Sequence, residues 1–298
     1  MVVGWSAVSD TDVQDAIGGP DLPLGRRVEL PGRGTTFVRE VEGPPGAPTV
    51  LLLHGLVASG GLNWFQVFDP LSRHFNVLAP DHRGHGRGLR SRKRFTLNDC
   101  ADDLAALLDQ IGSGPVIAVG YSMGGPIAQL LWKRHPDKVA GLVFVATADR
   151  FVPVTRERLI FVTAMSAMAG STRVGQGLTR LPLGMIARRV PPAVRSRPAN
   201  LRAWASAEMR RHDWRMVAEA AHAVGTFNSA KWIGGVDVPT AVLVTTEDKA
   251  VPATDQMRLL VKIPHATLHR VEDGHTVCAR PRFAPPLVDA CMDVAARI

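Results

Sequence analysis

Val116-Ile117-Ala118-Val119-Gly120-Tyr121-Ser122-Met123-Gly124-Gly125 is the stretch on which the reading of this chain turns. Its first half is a short apolar run, the composition of a buried strand. Its second half is a serine with glycine two residues away on each side, and residues 123–135 behind it carry a helical pattern. A serine on a sharp strand-to-helix turn takes a strained backbone conformation, so side chains two residues to either side would collide. The turn lifts the hydroxyl clear of the sheet. The helix N-terminus lies beneath it, where free amides and the helix dipole favour negative charge.

Outward from this stretch, short β-rich runs alternate with helical patterns, as in a parallel sheet covered by helices. Strands are expected at 27–30 and 36–40, antiparallel and joined through Pro31-Gly32-Arg33-Gly34, then at 49–53, 76–80, 116–120 and 139–146. Helices are expected at 65–74 and from Thr96, which caps its helix ahead of Asp99, with Leu104, Leu107, Leu108 and Ile111 as the buried stripe. From 147 to 231 the alternation breaks, and helical segments at 158–168, 174–187 and 201–224 are punctuated by Pro182, Pro191, Pro192 and Pro198. The alternation resumes with strands at 240–245 and 266–271 and helices at 252–261 and 283–296. This predicts an N-terminal extension (1–26), a core made of 27–146 and 232–298, and an all-helical cap at 147–231.

At 298 residues and 46% hydrophobic content, the chain can bury a large α/β core. No internal repeat is evident, and no apolar run approaches the ~20 residues that a membrane span needs. Residues 1–10 lack a basic segment followed by an apolar one, so no signal peptide and a cytoplasmic location are expected. Cys100, Cys278 and Cys291 are far apart with no paired spacing, which points to reduced thiols rather than disulfides or a metal ribbon. Net charge is +8, and Arg150 to Arg215 alone holds thirteen arginines against three acids. A second basic cluster is Arg83, Arg87, Arg90, Arg92, Lys93 and Arg94. Such patches could meet an anionic membrane surface or an acidic substrate, or simply face water. No recognition motif accompanies them, so nucleic acid is not an expected partner.

A serine hydroxyl needs a base. Of ten histidines, His275 stands in the loop after the last strand, at the same sheet edge as Ser122. His265 and His269 fall before or inside that strand. The base needs an orienting carboxylate, and Asp248 follows the strand at 240–245, with Glu247 and Asp149 as rivals. Acyl transfer also needs donors for the developing oxyanion. The Met123 amide is one, and Leu56, with Val57 as the alternative, would supply the second from the loop His54-Gly55-Leu56-Val57. Leu56 has no side-chain donor, so only its backbone could serve. His54 is expected to tether that loop.

Together these residues resemble the α/β-hydrolase family in its lid-bearing esterase/lipase branch. The marks are His54-Gly55, Asp81-His82-Arg83-Gly84-His85-Gly86, Gly120-Tyr121-Ser122-Met123-Gly124-Gly125, Asp248 with Val251-Pro252, and Gly274-His275, spread over about residues 28–298. The resemblance implies an eight-stranded, mostly parallel sheet flanked by helices, a helical cap over the site, and catalysis without a cofactor or metal. Two positions depart from the family's habit: Gly88 where serine is frequent, and Thr245-Thr246 where the turn before the acid often carries glycine. Serine at the elbow speaks against the epoxide-hydrolase and dehalogenase relatives, which carry aspartate there.

Ester, thioester or amide cleavage suits a serine–histidine pair. Carbon–carbon bond hydrolysis and acyl transfer use the same pair and stay open, as does a binding protein that has kept the fold. Val57, Trp64, Tyr121, Phe161 and Met165 are the expected pocket residues, pointing to a small-molecule ester with an apolar acyl group.

Overall fold

A computed structural model describes residues 19–151 and 201–298. Eight strands form one sheet: β1 (Gly25–Leu30), β2 (Gly34–Val41), β3 (Thr49–Leu53), β4 (Asn76–Pro80), β5 (Val116–Tyr121), β6 (Val139–Val145), β7 (Thr240–Thr245) and β8 (Thr267–Val271). Their order across the sheet is β1-β2-β4-β3-β5-β6-β7-β8. β2 runs antiparallel to β1 and β4, and every other pair is parallel. The eight-stranded, mostly parallel α/β architecture is therefore present.

The parallel strands are apolar throughout because both faces are covered. Alternate side chains feed two cores. Leu51, Leu53 and Ala118 join α3 (Leu97–Gln110) and α4 (Gly124–Arg134) on one face. Val50, Leu52, Ile117 and Val119 join α1 (Gly60–Trp64) and α2 (Phe68–Ser72) on the other. Thr96 caps α3 as expected, its hydroxyl accepting the Asp99 amide at 3.0 Å. The single helix expected at 65–74 is instead α1 and α2. Ser59 starts α1 early by accepting the Leu62 amide, and Asp81 Oδ1 accepts the Gly60 amide at 2.7 Å.

Between β6 and β7 the described residues form α5 (Leu201–Met209) and α6 (Trp214–Thr226), not the one helix expected at 201–224. The break has a cause: the Asp213 amide donates to Gly84 O at 2.8 Å, and its side chain caps α6. The segments expected at 158–168 and 174–187 lie outside the described residues. α7 (Ala253–Lys262) and α8 (Ala284–Ala295) complete the fold.

Much of the basic charge turns inward. Arg83 grips Asp103 with two bonds of 2.7 Å, and Arg87 meets Glu208 of α5 at 2.7 Å with both side chains nearly dry. Arg211 also bonds Glu208, and Arg215 pairs with Glu219 while donating to Ser91 O. Arg87 and Arg215 thereby brace α5 and α6 against the loop after β4, and Arg83 ties that loop to α3. The basic cluster read from the sequence is thus partly internal scaffolding.

Four buried histidines meet beside that loop, two of them within it. His54 lies 4.3 Å from His82 and 5.4 Å from His85 between ring centroids, and His85 lies 5.4 Å from His212. His54 Nε2 accepts the His82 amide, so its Nδ1–H donates to Gly55 O, which tethers the loop as expected. Burial pushes His82 and His85 down to about 3 and holds His54 well below its ordinary value.

Two outcomes follow. Gly124→Ala is expected to cost about 3 kcal/mol, because its Cβ would stand 2.0 Å from Leu53 O, whereas Gly46→Ala, in open space, carries only a left-handed backbone penalty of about 1 kcal/mol. Denaturant unfolding of both variants measures this, and equal costs would contradict the packing described. Second, below pH about 6.5 the unfolded chain takes up protons that His54, His82 and His85 refuse when folded. Stability should fall as pH drops from about 6.5 toward 3, by about 1.4 kcal/mol per pH unit for each histidine. Asp81, raised by burial, contributes with the opposite sign. Melting curves against pH check the slope, which should lessen in His85→Gln.

Candidate active site

Ser122 lies at the turn from β5 into α4 with φ 51°, a left-handed conformation that non-glycine residues seldom adopt. The glycines around it are dictated by clearance. A Cβ on Gly120 would sit 2.5 Å from Gly124 O, and one on Gly125 would sit 2.2 Å from Thr147 Oγ1. Main-chain bonds hold the turn: the Ser122 amide donates to Val145 O at 3.0 Å, while Ser122 O accepts Thr147 Oγ1–H at 2.8 Å and the Gly125 amide at 2.9 Å. The side-chain hydroxyl is left to face His275 Nε2, 2.9 Å away.

His275 follows β8, and its Nδ1 stands 2.8 Å from Asp248 Oδ2. The carboxylate can only accept, so Nδ1 carries the proton and Nε2 turns its lone pair to Ser122. The Tyr121 hydroxyl donates to the main-chain oxygen of His275 and fixes the loop from below. Asp248 follows β7 with its side chain fully enclosed. Its Oδ1 accepts the amides of Ala250 and Val251, both at 2.8 Å, and its Oδ2 accepts Thr245 Oγ1–H at 2.8 Å besides His275. Burial opposes the charge, but the bonds from His275, Val251 and Thr245 prevail and hold the carboxyl below its ordinary value.

The rival carboxylates stand elsewhere. Glu247 is exposed, and Asp149 is buried against Arg258 at 3.0 Å and Lys262 at 3.3 Å. His265 bonds Val238 O and His269 bonds Asp293, away from Ser122.

Met123 is the cap residue of α4. Leu56 follows Gly55, whose amide donates to Asn63 Oδ1 at 2.9 Å, so the loop is held from α1. Among the described residues, no protein acceptor engages the Met123 or Leu56 amide. Val57 has φ 58°, a strained setting for a β-branched residue, and it is half-buried beside Leu56.

Trp64 and Tyr121 both stand in the second core. Trp64 is fully buried, its ring stacked 6.1 Å from Phe283 and edge-on to Tyr121 at 6.0 Å. Tyr121 is buried too, with its hydroxyl spent on His275. Both are supports beneath the site because α1 and β5 carry them into that core. Phe161 and Met165 lie outside the described residues. Asn63 was not singled out in the sequence, and Thr245 stood out only as a departure from the family's habit, since a buried threonine or asparagine carries no spacing signal of its own. The two departures have local explanations: a Cβ on Gly88 would sit 2.3 Å from His82 O, and Thr245 supplies a donor to Asp248. No group of three or more His, Cys, Asp or Glu among the described residues is arranged to hold a metal ion. Nor is any described helix long and apolar enough to cross a membrane.

The arrangement is a buried carboxylate, an imidazole and a hydroxyl in one hydrogen-bonded series, open at the serine end. Known proteins similar to this chain include named hydrolases. The chain is 27% identical over 272 residues to a poly(3-hydroxyalkanoate) depolymerase of Ectopseudomonas oleovorans, covering 90% of this chain and 92% of that one. It is 40% identical over 106 residues to the lipase LipV of Mycobacterium tuberculosis, a match that spans 36% of this chain and 40% of the lipase. An esterase structure from Exiguobacterium antarcticum superposes with TM-score 0.70 at 19% identity, covering 93% of this chain and all of the esterase, a likeness of fold. The sequence profile described as the alpha/beta hydrolase fold matches residues 48–278, most of the chain, and the protein is thereby a member of the α/β-hydrolase family.

Proposed function

We propose that this protein is a serine hydrolase that cleaves a carboxylic ester with an apolar acyl group through an acyl-enzyme. The observation that carries the reading is the continuous series from Asp248 Oδ2 to His275 Nδ1 at 2.8 Å and from His275 Nε2 to Ser122 Oγ at 2.9 Å. Relatives named as a lipase and a depolymerase support a hydrolytic reaction.

In this mechanism Ser122 Oγ attacks the carbonyl carbon as its proton passes to His275 Nε2. Asp248 offsets the imidazolium charge, and its four accepted hydrogen bonds keep it ionised and unable to turn away. The oxyanion takes the Met123 and Leu56 amides, the first on the turn at Ser122 and the second on the loop that Asn63 holds. Collapse expels the alcohol, which takes the proton from His275. Water then gives a proton to His275 and attacks the acyl carbon; the carboxylic acid leaves and Ser122 regains its hydrogen. Of the helical cap that this proposal assigns to 147–231, α5 and α6 are the part within the described residues.

Hydrolysis of p-nitrophenyl esters of rising acyl length tests this. Ser122→Ala should lower kcat/KM by at least about ten-thousand-fold, and Asp248→Asn by about the same factor, because the imidazole would then hold the wrong tautomer. A Ser122→Ala enzyme as active as the parent would sink the reading.

A further inference from the structure

Asp248 Oδ2, the oxygen that meets His275, accepts a second hydrogen bond, from Thr245 Oγ1 at 2.8 Å. Thr245 Oγ1 is in turn met by Gln256 Nε2 at 2.8 Å, reaching down from α7. Thr245 and Gln256 are both fully buried. The direction of every bond in this chain is forced. Gln256 Oε1 faces the Thr245 amide at 3.1 Å and Nε2 faces Val251 O at 2.7 Å, so a flipped amide would oppose donor to donor and acceptor to acceptor. Nε2 can therefore only donate to Thr245 Oγ1, and the threonine hydrogen is left to Asp248.

Packing alone does not call for this. Thr245 ends a strand whose other residues are Thr240, Ala241, Val242, Leu243 and Val244, and valine would fill its place. Buried polar groups are costly unless every partner is present, and here the series from Gln256 through Thr245 ends on one carboxylate oxygen. Of the neighbouring ionisable groups, Tyr121 interacts with Asp248 and Cys278 interacts with Tyr121, and both are pushed up by burial and so uncharged at neutral pH.

We propose that Thr245 and Gln256 are positioning residues that act on catalysis through Asp248, pinning its Oδ2 toward His275 and sharing the charge that the imidazole faces. The proposal rests on the reading of Ser122, His275 and Asp248 as the catalytic triad. The Thr245 hydroxyl shares the negative charge that would otherwise face His275 alone. Without it the carboxylate turns more freely and holds the imidazolium more tightly.

Thr245→Val, equal in volume, tests this against Thr245→Ser, which keeps the hydroxyl. In ester hydrolysis Thr245→Val should lower kcat about tenfold with KM unchanged, as befits one hydrogen bond to a charged group. The acidic limb of its kcat/KM profile should move to higher pH, and Thr245→Ser should restore both. A second measurement needs no turnover: the low-field proton resonance of His275 Nδ1–H should shift in Thr245→Val and return in Thr245→Ser. If Thr245→Val keeps the parent's kcat, pH profile and resonance, the proposal is overturned, as it is if Thr245→Ser loses as much as Thr245→Val. Failure of the triad reading looks different: Ser122→Ala would stay active, while the resonance would still report on Thr245.

Discussion

The left-handed turn at Ser122 is the constraint that the rest of the molecule accommodates. It exists because α4 starts almost in contact with the strand ends beneath it. Gly124 leaves no room for a Cβ against Leu53 O of β3, Gly120 none against α4 itself, and Gly125 none against Thr147 after β6. Three neighbouring strand ends therefore set the height and direction of one hydroxyl. Local strain of this kind persists only where the surroundings over-determine it. Here they do, through bonds from the Ser122 main chain to Val145, Thr147 and Gly125.

Sheet register carries the remaining groups to the same edge. β5, β7 and β8 all run parallel, and Tyr121 aligns with Val145 while Thr245 aligns with Val271. The loops that leave these ends place Asp248 and His275 beside Ser122 even though β6 intervenes between β5 and β7. A second layer then stiffens the loops: Tyr121 holds His275, Asn63 holds the loop bearing Leu56, and His54 closes that loop from behind. The buried ion pair of Arg87 with Glu208 ties the region between β6 and β7 to the same frame. Such a pair adds little net stability, but it fixes how two elements meet.

What was legible in the sequence follows from where one force dominates. The central strands read clearly because burial on both faces leaves continuous apolar runs, and the ends of β3, β4 and β7 fall where the runs end. The glycine-flanked serine was legible because clearance allows nothing larger. The rest depends on partners distant in the chain. α1 begins early because Asp81 accepts an amide from it, and α5 stops because Gly84 takes the Asp213 amide. Trp64 and Tyr121 look like pocket residues by type, yet α1 and β5 carry both into the same core. Thr245 and Gln256 are eleven positions apart, and only the packing of α7 beneath β7 brings them together.

The account stands most directly on the nucleophilicity of Ser122. Treating the protein with an alkyl fluorophosphonate and mapping the modified peptide by mass spectrometry addresses it without a known substrate. The account predicts one adduct per chain, carried on Ser122, forming more slowly once His275 is replaced by alanine. An unmodified Ser122, with label absent or on another residue, would contradict it.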